Sequence, residues 1–301
     1  MQCILCKSNR YTEIKGFVRT GNEFKVVECL ECGHVQCDPM PSTESLQDYF
    51  NSNEEVKEIH KDYEKYIEHM IKLHEHETNR TAEFLIKHID KSNSILEIGA
   101  GNGMLVDKMK SFGYIIDGLE ISQEQRYLSR KFFGNELLPY NLLSEEVNDE
   151  VKHKYHVVCG FHVLHFINNP HLYIKKVIEL LKKKGNVIFE IPNYNYFLLD
   201  MCKAFNDFFF KNMLCSYFKP NTLRALFAES GFTSIEIIGV QRYSFINAIN
   251  WLYKGEPQIY QNRPPSYEVK EELSWLEDFY KQKLISELKC DTLIITAEYG
   301  E

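Results

Sequence analysis

The run Ile95-Leu96-Glu97-Ile98-Gly99-Ala100-Gly101-Asn102-Gly103 constrains this chain more than any other stretch. It reads as a short buried strand opening into a turn with glycines at alternate positions. A strand-like run, Tyr114 to Leu119, follows, and Glu120 closes it seventeen residues after Gly103. Glycine at 99, 101 and 103 lets backbone approach a ligand that any Cβ would keep away, and an acid ending the second strand can accept hydrogen bonds from both ribose hydroxyls. Together they point to a cofactor that carries a nucleoside. A dinucleotide fingerprint, G-x-G-x-x-G, needs its third glycine at 104, which is Met104, so the alternating E-x-G-x-G-x-G pattern argues against that class.

Around this loop, apolar runs alternate with amphipathic ones: Ser94 to Ile98, Met104 to Phe112, Tyr114 to Leu119, Glu124 to Phe133, Val157 to Phe161, Ile174 to Leu181 and Asn186 to Ile191. Such β-α alternation predicts an α/β fold with a doubly wound parallel sheet. A helix from Leu223 to Ser230, closed by Gly231, precedes a strand from Ser234 to Val240, and a last strand spans Thr292 to Glu298 after a helical stretch from about Tyr267 to Leu288. Residues 194–217 are unusually aromatic, with Phe197, Phe205, Phe208, Phe209 and Phe210; a lid over a site, a docking helix and an oligomer face would all use such residues.

Before position 93 the chain is different. Cys3-x2-Cys6 and Cys29-x2-Cys32 read as two knuckles of a zinc ribbon, with four thiolates converging at about 2.3 Å on a structural Zn²⁺ that staples a module too small to fold by burial alone. His34 and Cys37 lie close by, but four cysteines already fill a tetrahedral site. Asp38-Pro39-Met40-Pro41-Ser42 ends the module, and Ser42-Thr43-Glu44-Ser45 opens a helix with a capping-box pattern. The expected organisation is a ribbon over 1–40, a helical linker over 41–92, and the α/β domain over 93–301 with an aromatic insertion near 194–217 and a helical one near 241–289. The linker histidines His60, His69, His74, His76 and His88 share no face with carboxylates in register and read as solvated or helix-packing residues.

A formal charge of −8 leaves no overall basic field for a nucleic acid or an anionic membrane. No run of about 18 apolar residues is available to span a bilayer, and Met1 to Arg10 has no apolar signal core, so the expected compartment is the cytoplasm.

Over roughly 94–301 the chain resembles the class I S-adenosylmethionine (SAM) methyltransferases, a Rossmann-like fold. The resemblance places Glu97, Gly99, Ala100, Gly101 and Gly103 against the methionine and ribose of SAM, Glu120 on the ribose hydroxyls, Ile121 beside the adenine, and Asn141 with Leu142 at the adenine edge. It aligns Val157 to Pro170 with the family's fourth strand and the loop under the methyl group, and counts Phe161 among the cofactor contacts. Where many small-molecule members carry V-L-E-H-x-x-D-P, this chain has Val163-Leu164-His165-Phe166, so the base cannot be copied across. His162 and His165 are then the candidate catalytic groups, at the strand end where doubly wound folds place ligands. Phe218, Pro220, Thr222 and Leu223 fit a further substrate-positioning signature, and Asn193 and Tyr194 are candidates to touch the acceptor.

A four-cysteine ribbon ahead of such a domain is similar to sugar and capsule-pathway methyltransferases, which implies a small polar acceptor, most simply a nucleotide-linked sugar modified on oxygen. C-methylation of a ketosugar, methylation of ribosomal RNA, and a non-catalytic SAM-fold binding module are the alternatives. Oligomerisation would use the aromatic insertion.

Overall fold

The computed structural model describes residues 2–16, 18, 23–51, 63–143, 146–257 and 269–300. His60, the start of the expected linker helix and residues 258–268 of the helical insertion lie outside them. The elements are β1 (Tyr11–Lys15), β2 (Lys25–Cys29), β3 (Val35–Asp38), α1 (Thr43–Asn51), α2 (Tyr63–His88), β4 (Ser94–Ile98), α3 (Met104–Ser111), β5 (Ile115–Leu119) and α4 (Gln123–Phe133). They continue with β6 (Tyr155–Phe161), a 3-10 turn (Leu164–Phe166), α5 (Pro170–Leu180), β7 (Leu181–Pro192), α6 (Phe197–Met201), α7 (Lys203–Phe209), β8 (Ser216–Tyr217) and α8 (Pro220–Glu229). Last come β9 (Phe232–Val240), α9 (Phe245–Lys254), a 3-10 turn (Glu271–Leu273), α10 (Ser274–Ser286) and β10 (Thr292–Tyr299).

Six strands form the larger sheet in the order β5-β4-β6-β7-β10-β9. The motif strand β4 pairs in parallel with β5 on one side and β6 on the other, so strand order reverses at β4, where doubly wound folds open a ligand crevice. Beyond β5 the chain adds a bridge, Leu119 to Leu138, with Leu138 N donating to Gly118 O at 2.8 Å. Local chemistry sets the helix ends: Ser122 Oγ caps α4 by accepting from Gln125 N, Gly134 closes it at φ 67°, and Pro170 and Pro220 stand where α5 and α8 begin.

The smaller sheet is antiparallel, β1-β2-β3-β8. Its fourth strand comes from the aromatic stretch: Val35 sits opposite Tyr217 and Gln36 opposite Ser216. Val18, Val26, Val35, Phe210 and Tyr217 form a buried cluster, with Ile14, Phe24, Tyr194 and Phe209 packed on it. Phe210 and Tyr217 are therefore core, whereas Phe208 is 38 % exposed. Phe205 meets Trp251 of α9 at 5.1 Å, and the Tyr194 ring lies about 6 Å from those of Phe210 and Tyr217. The buried part of 194–217 packs on the ribbon sheet, because ribbon strands this short need apolar surface from elsewhere.

The chain divides into two compact units, each assembled from separate stretches. One comprises Met1–Pro41, Leu164–His171 and Phe189–Ala297, and the other Ser42–Val163, Leu172–Ile188 and Glu298–Glu301.

Candidate active site

The glycine loop lies in the second of these units, and each glycine has its own reason to be there. All three hold left-handed backbone, with φ of 71° at Gly99, 55° at Gly101 and 78° at Gly103. A Cβ on Gly99 would stand 2.4 Å from Val163 Cγ2, and one on Gly103 would stand 2.3 Å from Ser129 Oγ. At Gly101 a Cβ would meet nothing within 4 Å among the described residues. Gly99 and Gly103 thus serve close packing inside the protein, whereas Gly101 faces open space. The amides of Gly99 and Ala100 both donate to Leu119 O, at 2.7 and 3.0 Å, which clamps the loop to the end of β5.

Glu120, at that same end, is 7 % exposed. Its Oε2 accepts from Gly101 N and its Oε1 from Ser122 N, both at 2.8 Å. Arg126 Nη1 donates to the carbonyls of Glu120 and Ile121 at 2.8 and 2.7 Å, fixing the backbone that presents the acid. Burial pushes the Glu120 carboxyl up, and the Ser122 and Gly101 amides and the Arg126 charge offset part of that rise. Glu97 sits two residues before the loop, in register with Gly118 and Cys159. It is 5 % exposed, and its Oε2 has no hydrogen-bond partner among the described residues. Burial first, and the neighbouring Glu120 second, raise its pKa to about 8. An open cradle at Gly101, an oriented acid beside it and a buried carboxyl oxygen in need of a donor fit a cationic ligand bearing hydroxyl and ammonium groups.

The other expected cofactor residues are placed as follows. Ala100 is buried in the loop, and Ile121 follows Glu120 on the way to the α4 cap. Asn141 Oδ1 accepts from Leu143 N at 3.0 Å, and its Nδ2 donates to Gln47 Oε1 at 3.4 Å. Asn141 and Leu142 line a small, largely apolar pocket together with Leu96, Leu119, Leu138 and Val147.

β6 ends at Phe161, and His162 follows with φ 58°, a strained conformation for a residue with a Cβ. That turn brings Val163 onto Gly99, so the strand end carrying His162 is keyed to the glycine loop. His165 is buried at 6 % exposure in the 3-10 turn, its ring 4.3 Å from that of Phe166 and its carbonyl accepting from Cys215 N at 2.9 Å. The two histidines therefore have distinct surroundings. Asn193 is spent on the fold: its Nδ2 donates to Leu288 O and Cys290 O, its Oδ1 accepts from Asn195 N, and Tyr194 belongs to the aromatic core. Sequence reasoning missed Val163 and Arg126 as loop supports; a valine packed on a glycine and an arginine bound to carbonyls carry no motif.

At the N-terminus, the Sγ atoms of Cys3, Cys6, Cys29 and Cys32 lie within 4.8 Å of one another, with Cys3 to Cys32 at 3.6 Å and Cys6 to Cys29 at 3.5 Å. Four thiolates at about 2.3 Å from one ion would be about 3.8 Å apart, so the set can hold a tetrahedral metal with little adjustment. Each pair closes on a left-handed residue, Lys7 at φ 63° and Gly33 at 71°.

The family model described as a methyltransferase domain matches residues 66–237, more than half of the chain. The chain belongs to this methyltransferase family. A ubiquinone biosynthesis O-methyltransferase of Coxiella burnetii is 21 % identical over 215 residues, covering 67 % of this chain and 83 % of that protein. Among solved structures, the geranyl diphosphate C-methyltransferase of Streptomyces coelicolor, in complex with S-adenosyl-L-homocysteine, aligns with TM-score 0.53 at 15 % identity, over 86 % of this chain and 100 % of that one. A possible histamine N-methyltransferase from Thermotoga maritima aligns with TM-score 0.51 at 17 % identity, over 78 % and 95 %. The structural likenesses establish the fold, a class I, Rossmann-like methyltransferase.

The methyltransferase is an enzyme that uses SAM, which supplies a methyl group on a sulfonium centre. The chain's own part in that chemistry is to bind and orient. The Gly99–Gly103 backbone, Glu120 aimed by two amides, and the buried Glu97 carboxyl are the groups that could hold the cofactor there.

Proposed function

We propose that this methyltransferase moves the SAM methyl group onto an oxygen of a small polar acceptor, a nucleotide-linked sugar or capsule precursor. The observation that carries oxygen as the methylated atom is the likeness to O-methyltransferases over 83 % of their length. The sugar rests on the four-cysteine ribbon ahead of the domain. In this reading His162 receives the acceptor proton: its strained backbone at the end of β6 is keyed through Val163 to the cofactor loop, while His165 shapes the buried wall of the acceptor loop. The relatives' names support a second reading, a phenolic ring acceptor. Phenols ionise more readily than sugar hydroxyls and would need less help from a base.

Incubating the enzyme and isotopically labelled SAM with sugar-nucleotide extracts and, separately, with lipid-soluble phenols tests both. Label in a methyl ether of a sugar is the expected result; label confined to the phenols, or on carbon, sinks the sugar reading. Calorimetric titration with SAM tests the enzyme itself, since folded protein that takes up no SAM would leave only a binding module.

Cys3, Cys6, Cys29 and Cys32 hold a structural Zn²⁺ in the same reading. Metal analysis of protein purified without chelator should return about one equivalent. Less than half an equivalent, with every cysteine titrating as a free thiol, counts against it.

A further inference from the structure

Residues 164–171, the loop that carries His165, are tied to the N-terminal module by hydrogen bonds that the sequence did not foretell. Cys215 N donates to His165 O at 2.9 Å, and Cys215 Sγ donates to Phe166 O at 3.2 Å. Cys215 stands one residue before β8, the strand that completes the ribbon sheet, and its own carbonyl accepts from Cys37 N at 3.3 Å. Asn168 Nδ2 donates to Pro41 O at 3.0 Å. His171 Nε2 donates to Leu5 O, also at 3.0 Å.

The last of these bonds reaches the metal-type knuckle itself, because Leu5 lies between Cys3 and Cys6. The knuckle is fastened on its other side as well. Ile4 N donates to Gln36 Oε1 at 2.9 Å, and Gln36 Nε2 donates to Gln2 O at 3.2 Å. Gln36 is 2 % exposed and lies opposite Ser216 in the sheet, next to the bond between Ser216 Oγ and His34 Nε2. A carbonyl inside a Cys-x2-Cys turn has little freedom once both sulfurs are held, so a donor on that carbonyl is placed by the cluster.

We propose that His171 is a positioning residue through which the Cys3-Ile4-Leu5-Cys6 knuckle sets the conformation of the 164–171 loop, so that the four-cysteine module fixes where His165 stands. This rests on the reading that the loop borders the acceptor. It gives the ribbon a task in the reaction beyond its own folding: a strut for the 164–171 loop.

The test needs no acceptor. Hydrogen–deuterium exchange is measured on full-length wild type, His171→Ala and His171→Gln, each also titrated calorimetrically with SAM. In His171→Ala the amides of 164–171 should exchange about three- to tenfold faster, the worth of one hydrogen bond, while residues 94–103 exchange as in wild type and SAM affinity is unchanged. His171→Gln, which keeps an N–H at similar reach, should restore most of the protection. Chelation of the wild type, with metal loss confirmed by analysis, should reproduce the His171→Ala pattern. Wild-type exchange of 164–171 in His171→Ala overturns the proposal, as does acceleration spread equally over 94–103, which would mean general destabilisation. Unchanged exchange after metal loss overturns the part assigned to the cluster. Failure of the wild type to bind SAM would strike the enzyme reading instead.

Discussion

Three glycines that look alike in the sequence have different neighbours, so their alanine variants should separate. Gly101→Ala introduces a Cβ into open space at φ 55° and should cost about 1–2 kcal/mol in backbone strain. Its main effect should be on the ligand, with SAM binding weakened about tenfold or more in calorimetry. Gly99→Ala adds a collision with Val163 to a similar strain and should cost about 3 kcal/mol or more in urea unfolding. Equal losses of stability in the two would contradict this division. Glu97 makes the pH dependence of the cofactor-free protein predictable. Its carboxyl titrates near 8 when folded against an ordinary value of 4.5, so between those values the folded chain holds a proton that the unfolded chain has lost. Its contribution is therefore complete below about pH 4.5 and is lost as pH rises through 8, and Glu120, also raised, acts in the same direction. The urea midpoint of wild type should fall from pH 5 to pH 8, and Glu97→Gln should flatten that slope. A steeper slope in the variant would show that other groups control it.

At the scale of elements, the packing of the aromatic stretch onto the ribbon is open to one substitution. Phe210 is 1 % exposed at the centre of the cluster with Val26, Val35 and Tyr217. Phe210→Ala should cost about 3–5 kcal/mol and raise the protease sensitivity of residues 2–41, whereas a wild-type urea midpoint would mean that the cluster is easily repacked. This contact also marks where the sequence stopped being readable. The strands and helices of the β-α alternation were legible because each announces itself locally: β4, β5 and β6 are apolar runs, and α4 opens on Ser122 and closes on Gly134. The left-handed glycine turn, the buried Glu120 and the clustered cysteine pairs were legible for the same reason, since each is a local pattern. β8 is two residues long and owes its existence to β3, so nothing in Ser216-Tyr217 alone could reveal it. Asn193 looked like an acceptor contact because it follows a strand; its partners, the carbonyls of Leu288 and Cys290, lie nearly a hundred residues onward. His162 was legible as a residue type at a strand end, but its left-handed backbone was not.

At the scale of the whole molecule, the ribbon is one part of a unit that also draws on residues 164–171 and 189–297. Removing a metal from the four cysteines should therefore be felt well beyond residue 41. Chelation is expected to lower the thermal midpoint and to expose the buried thiols Cys37 and Cys215 to a thiol reagent. Protection of those two cysteines after metal loss would show that the sheet holds without the cluster. Among the described residues no helix is long and apolar enough to cross a membrane.

The pairing of β3 with β8 also imposes an order in time. All four cysteines lie within the first 32 residues, whereas the partner of Val35 is Tyr217. At roughly 5–20 residues per second, a ribosome needs on the order of 10–40 s to make the intervening stretch. Throughout that interval the edge of β3 and the apolar face at Val26 and Val35 wait uncovered on a nascent chain, the kind of surface that pairs with the wrong neighbour. An ion captured early by the knuckles would hold that half-built sheet in its final shape until its last strand emerged.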